Sequence, residues 1–278
     1  MRASCELTHH LFLAQRNGKI TGIDFPLYPV SLTIPSGNFN KNNVFQTRTG
    51  SILIAREENP EGRKSELPLV EAEYEGVGFF ANPGNRFRLR SPKEQYSFTR
   101  KMELEGVRVP HILCLDGQTQ WMEYLPNVQD LSKIWTSGDK KAPEKTVTVL
   151  HALRDVHEKG IVFGDRWGPN ELVGKDGMVT FADFDIKIWG PEAREFEIAS
   201  LLYFTTHFAD QGKFFPRSLL MSAFKNFLSE DKTKKAYSMN ILKKYLLNYF
   251  QYFSTKDIYS WRDKKDMLVF GKELTEKI

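Results

Sequence analysis

Asp165, Asn170 and Asp183 are the residues whose types and spacing most plainly suit chemistry. In Phe163-Gly164-Asp165-Arg166-Trp167-Gly168-Pro169-Asn170 the acid precedes the amide by five positions, and Asp183, in Phe181-Ala182-Asp183-Phe184-Asp185, follows the amide by thirteen. Magnesium takes oxygen ligands and keeps several waters, so one carboxylate and one amide can hold it against phosphates. A further carboxylate can orient an attacking hydroxyl and accept its proton. The three side chains therefore suit phosphoryl transfer to an alcohol if the chain folds them onto one spot.

The surrounding elements predict that it does. Glu171-Leu172-Val173 and Met178 to Ala182 read as two short strands around Gly174-Lys175-Asp176-Gly177, an Asp-Gly turn that brings Asp183 back toward Asn170. Upstream, Val147, Leu150, Leu153 and Val156 form one apolar stripe on a helix from Glu144 to Lys159, with Gly160 as its stop. Arg86-Phe87-Arg88-Leu89-Arg90 alternates as a half-buried strand, and Pro92 to Glu105 reads as a helix ended by Gly106. Gln120 to Pro126 reads as a strand running into a connection, with a helix starting at Asp130-Leu131.

These segments carry a family resemblance over roughly residues 86 to 200. Val156-His157-Glu158-Lys159-Gly160-Ile161-Val162-Phe163-Gly164-Asp165 resembles the catalytic text of the protein-kinase-like superfamily. Its nearest counterparts are the RIO kinases, the small kinase of the KEOPS tRNA-modification complex and the aminoglycoside phosphotransferases. Val107-Arg108-Val109-Pro110 resembles their "Gly-Val, x, Val-Pro" connection, and Gln120-Trp121-Met122-Glu123-Tyr124-Leu125-Pro126 resembles their hinge strand. The resemblance implies an α+β, bilobal protein-kinase-like fold, with a β-rich N-lobe at 1–122 and a hinge and helical C-lobe at 123–278. Residues 1–43 hold an extra β-hairpin region. It implies ATP and Mg2+ as cofactors, Asp165 as the catalytic carboxylate that orients the acceptor hydroxyl, Asn170 and Asp183 as metal ligands, and Met122, Glu123 and Leu125 at the adenine. Glu197, in the helix after the metal segment, is either the acid that braces the catalytic loop in such enzymes or a surface residue.

The departures bear on activity. Phe163 and Trp167 replace residues that related enzymes use near the acceptor and the γ-phosphate, and no Lys lies on the strand expected to bind phosphate. Arg88 and Arg90 are the cations offered there, able to bind phosphate bidentately, with Glu94 as carboxylate partner; the alternative is a solvated basic edge. Asp185, where kinases have Gly, resembles sugar kinases acting on lipopolysaccharide cores, and either helps hold metal or faces solvent. Thr47 to Ser51 reads as a hairpin turn between strands, and Glu75-Gly76-Val77-Gly78 as a bulge in another strand.

Composition agrees with an ordered chain: 41% hydrophobic and 13% aromatic residues argue against disorder. Two cysteines provide neither a disulfide framework nor a cysteine zinc site, and the six histidines lack paired metal spacing. No apolar run is long enough to span a bilayer, and the first residues lack signal-peptide order, so a cytoplasmic protein is expected. Asn17-Gly18 marks a hairpin between Leu11 to Ala14 and Ile20-Thr21, Asn38 to Asn43 an exposed turn, and Glu57 to Pro68 a mobile linker. From Ser222 onward twelve Lys or Arg face seven Asp or Glu, an excess that could steer an anionic partner, although the stripe Ile241, Leu242, Tyr245, Leu246, Tyr249 and Phe250 reads first as core. Three functions follow in order: an ATP-dependent kinase of atypical protein-kinase type acting on an acceptor hydroxyl not readable from the sequence, a small-molecule or sugar kinase, and a nucleotide-binding pseudokinase scaffold.

Overall fold

The computed structural model describes residues 27–30, 39–212, 217–256 and 264–277; the hairpin expected around Asn17-Gly18 lies outside them. Along the chain run β1 (Tyr28–Pro29), β2 (Asn40–Gln46), β3 (Ile52–Glu58), α1 (Pro60–Gly76), β4 (Arg86–Leu89), α2 (Pro92–Leu104), β5 (Ile112–Asp116), β6 (Thr119–Glu123) and β7 (Val128–Asp130). Then follow α3 (Leu131–Thr136), α4 (Ala142–Glu158), β8 (Glu171–Gly174), β9 (Val179–Phe181), β10 (Ile186–Trp189), α5 (Ala193–Gln211), α6 (Arg217–Ser229), α7 (Asp231–Ala236), α8 (Met239–Ser254) and α9 (Lys264–Thr275). The chain forms two compact units, Met1–Val70 with Arg90–Pro126, and Glu71–Leu89 with Asn127–Ile278. The expected α+β class is observed, one unit being sheet-rich and the other mainly helical.

The first unit is built on an antiparallel sheet in the order β1-β2-β3-β6-β5. Leu53 and Ala55 of β3 join Leu27, Phe45, Cys114 and Trp121 in the core on one face. Alternation turns Ile54 and Arg56 to the other face, where Gln120, the cross-strand partner of Arg56, donates to Gln95 and to the Pro92 carbonyl of α2. Ser91 and Glu94 begin α2 with a capping box, each side chain bonding the other's backbone N–H.

Helix α5 organises the second unit. It is buried from Phe196 through His207, as expected of a helix enclosed on all sides, and α8 packs along it. Tyr203 stacks on Tyr249 and Phe253 at centroid distances of 5.4 and 4.8 Å, so the stripe on α8 is core.

Three expectations are corrected. Residues 57–68 are the end of β3 and the start of α1, because Pro60 suits a first helical turn and Glu, Lys, Arg and Leu propagate a helix despite the polar text. Gly76 ends that helix instead of interrupting a strand, and Asn40 to Asn43 are strand, with Asn40 buried.

Candidate active site

The loop bearing Asp165 is set by α4 and α5. Gly160, at φ 75°, takes the left-handed conformation that ends α4. Gly164, at φ 126°, lies so close to β10 that a Cβ would sit 2.1 Å from the Ile186 carbonyl oxygen, which leaves room for glycine alone. Glu197, fully buried on α5, accepts the backbone N–H groups of Phe163 and Gly164 at 3.1 and 2.7 Å. Its other oxygen meets His157 Nε2 at 2.7 Å, and His157 Nδ1 meets the Tyr237 hydroxyl at 2.8 Å. Glu197 is thus the loop's brace, and the surface alternative is excluded.

The β8–β9 hairpin carries Asp183 back to Asn170, as the turn text predicts. Ala182 N–H donates to the Asn170 carbonyl at 2.9 Å, and the Asn170 amide Nδ2 donates to the Asp165 carbonyl at 2.9 Å. That second bond fixes the amide's orientation, engaging Nδ2 and not Oδ1. Asp183 itself has φ 57°, an uncommon conformation for a residue with a side chain.

Arg166 holds this arrangement, and sequence reasoning missed it. Its guanidinium, fully buried, donates to the carbonyls of Asn170, Ala182 and Asp183 at 3.3, 2.9 and 2.6 Å. Glu171 at 3.3 Å and Glu197 at 3.9 Å balance its charge, and the Phe163 and Phe184 rings face it at 5.1 and 5.5 Å. Glu171 also accepts Gly168 N–H at 2.6 Å, which ties the middle of the loop. Trp167 lies edge-on to Phe204 of α5 at 6.1 Å. Asp185 is buried, which excludes its solvent-facing alternative.

Burial pushes the Asp165 carboxyl up to about 7; Arg166 opposes the shift, and the charges of Asp183 and Glu197 add to it. Glu73, in the last turn of α1 and the same unit, is pushed up to about 8 by burial and by Asp165. Among the described residues no group of three or more His, Cys, Asp or Glu is arranged to hold a metal by itself. No helix among them is long and apolar enough to cross a membrane.

The residues expected at the nucleotide are distributed differently. Arg88 lies on β4, which pairs with β10 of the second unit, opposite Lys187, and is not on the five-stranded sheet. Arg90 is buried over the Phe98 ring at 4.1 Å, and the Glu94 carboxylate serves the cap of α2. On the central strand β3 the cation is Arg56, preceded by Ile52-Leu53-Ile54-Ala55; its signal was a single basic residue on the non-core phase of an apolar strand. Met122 and Glu123 end β6, with Glu123 N–H bonded to the His111 carbonyl and Tyr124 N–H to that of Ile52. Leu125 follows where the chain leaves the sheet.

Among solved structures the chain is similar to the choline kinase LicA from Streptococcus pneumoniae, at a TM-score of 0.42 and 10% identity, with 97% of this chain and 99% of that chain covered. It is also similar to the amicoumacin kinase hAmiN in complex with AMP-PNP, Ca2+ and Ami, at 0.43 and 12%, with 100% and 96% covered. No protein-family model and no curated protein matches the chain.

Proposed function

We propose that the chain is an ATP- and magnesium-dependent phosphotransferase of the protein-kinase-like superfamily that acts on an alcohol. The observation that carries this reading is the tie of Asp165, Asn170 and Asp183 through the Asn170 amide, the Ala182 N–H and the Arg166 guanidinium. A carboxylate and an amide oxygen, Asp183 and Asn170, fit a magnesium ion that completes its shell with phosphate oxygens and water. When bound, the ion neutralises charge on the transferring group. Asp165 orients the acceptor hydroxyl and takes its proton as the oxygen bonds to the γ-phosphorus. The bond to the bridging oxygen breaks, and its electron pair leaves with ADP.

The remaining assignments belong to the same proposal. The backbone from Glu123 to Leu125 receives the adenine edge, beside Met122. Arg56 on β3 is the cation for the α and β phosphates, with Arg88 and Arg90 as its competitors and Glu94 as a carboxylate partner. The RIO and KEOPS resemblance favours a protein acceptor. A small-molecule acceptor is favoured by Asp185, where protein kinases have Gly. The basic C-terminal part is proposed to favour an anionic partner.

Asp183→Asn keeps the shape and removes the metal-binding charge. Thermal-shift titration with ATP is expected to show a magnesium-dependent rise in the native protein that falls at least tenfold in affinity in the variant. An unchanged magnesium response removes Asp183 from the metal site. ATP binding with no consumption for any acceptor favours the pseudokinase scaffold.

A further inference from the structure

The turn between α7 and α8 is tied to the two helices that carry the brace of the Asp165 loop. Tyr237 N–H donates to the Thr233 carbonyl at 3.1 Å, and Ser238 N–H to the Glu195 carboxylate of α5 at 2.9 Å. Arg154 of α4 donates to the hydroxyl of Thr233, a buried residue, at 3.1 Å. These bonds seat the buried Tyr237 ring edge-on to that of His157, with ring centroids 5.6 Å apart.

The protons in this contact follow by elimination. The Tyr237 hydroxyl meets His157 Nδ1 at 2.8 Å and has no other hydrogen-bond partner among the described residues. Burial, and then the charge of Glu197, keep that hydroxyl protonated. Its proton goes to Nδ1 or stays buried without an acceptor, and buried donors are costly to leave unpaired. Nδ1 is therefore an acceptor, and a ring that also donates from Nε2 to Glu197 at 2.7 Å is the neutral Nε2–H tautomer. An imidazolium would serve Glu197 equally well but would strand the tyrosine proton.

We infer that Tyr237 is a positioning residue for the Asp165 loop, which donates to Nδ1 and so holds His157 neutral and turned toward Glu197. The chain of contacts is unbroken: Tyr237 to His157 at 2.8 Å, His157 to Glu197 at 2.7 Å, and Glu197 to the N–H groups of Phe163 and Gly164 at 3.1 and 2.7 Å. Gly164 is the residue before Asp165. A neutral ring leaves the charge of Glu197 to those two N–H groups and to Arg166 at 3.9 Å, whereas an imidazolium would compete for it. In its effect on turnover the inference rests on the transfer role proposed for Asp165; the tautomer and the hold on the loop do not.

The proton positions are read in the native full chain by nitrogen NMR of histidine-labelled protein at neutral pH, where His157 is expected to carry one proton, on Nε2. A proton on Nδ1, alone or together with one on Nε2, overturns the inference, and this measurement needs no variant. Tyr237→Phe then removes the hydroxyl and keeps the ring. Site-resolved hydrogen exchange is expected to show the Phe163 and Gly164 amides exchanging roughly tenfold faster than in the native chain, and those of Leu201 and Leu202 in α5 changing by less than about twofold. Equal acceleration at all four amides marks a general loss of stability and overturns the inference, as does no acceleration at any. With ATP and pooled hydroxyl acceptors the variant is expected to keep ATP affinity within about twofold and to lose turnover about fivefold. Native turnover in the variant overturns the inference as well. A native chain that consumes no ATP overturns the transfer reading instead, and the tautomer and the exchange rates still decide the role of Tyr237.

Discussion

The loop bearing Asp165 and the strand bearing Arg56 are held by different forces. Strand β3 is secured by backbone ladders to β2 and β6 and by apolar packing of Leu53 and Ala55, none of which involves the Arg56 side chain's charge. The loop has no ladder of its own and is fixed by buried charges, with Glu197 on its N–H groups and Arg166 on three carbonyls. The difference separates folding from function on the strand and fuses them in the loop. A substitution at Arg56 leaves the ladders and the apolar packing of β3 in place, whereas one at Arg166 changes stability and site geometry together.

Arg166→Met is the largest way to break this contrast. It leaves Glu171 and Glu197 without a buried counter-charge, a loss of about 3–5 kcal/mol, or on the order of 10 °C in Tm for a unit of this size. Magnesium-dependent nucleotide binding should fall with it, because Asp183 loses the bond to its carbonyl. Arg166→Lys should recover only part of both, since an ammonium cannot span three carbonyls as a guanidinium does. A change in Tm no greater than that of an exposed ion pair would show that the loop is not held by this charge.

Arg56→Ala sharpens the other side. Hydrogen bonds to charged groups contribute about 1.5–3 kcal/mol, so ATP affinity should fall roughly 10- to 100-fold, while adenosine affinity and Tm stay near native values. Isothermal titration with both ligands decides it, with Arg88→Ala and Arg90→Ala run in parallel. Equal losses for ATP and adenosine would mark a folding defect, and losses confined to Arg88 or Arg90 would move the phosphate site to those residues.

The smallest effect is pH-dependent. Glu73 holds its proton in the folded chain up to about 8, against an ordinary 4.5, so the folded state binds the extra proton between those values and is destabilised as pH rises through them. Because Glu73 is only partly buried by surface area, the effect should be modest. Glu73→Gln cannot ionise, so its Tm should match the native protein near pH 5 and exceed it by a few degrees near pH 8.5. A variant less stable than the native chain at the higher pH would reverse the sign of this account.

What could be read in the sequence follows the same division. Asp165, Asn170 and Asp183 were legible as candidates because the spacing and the Asp-Gly turn are local, and α4 because its apolar period is. Alternation marked Arg86 to Leu89 as a strand but could not name its partner, which is β10, far along the chain. Helix α1 was hidden by polar residues and by Pro60 and Gly62, which read as linker although the proline sits in the first turn. Arg166 and Glu171 were missed because charged residues are rarely fully buried, and only the fold reveals that these two neutralise each other.

In the proposed reaction Asp165 orients and deprotonates the acceptor hydroxyl. The most direct measurement is ATP consumption and ATP affinity, side by side, for native protein and Asp165→Asn across pH 5.5–8.5, with pooled hydroxyl acceptors including glycerol, serinol and Ser/Thr peptides. The native rate should rise with pH as the carboxyl, pushed up to about 7 in the empty site, loses its proton, and then level off. The variant should bind ATP nearly as well and turn over slower by a factor on the order of a hundred or more, without that rise. Consumption in the variant equal to native, with the same pH profile, would contradict the role assigned to Asp165.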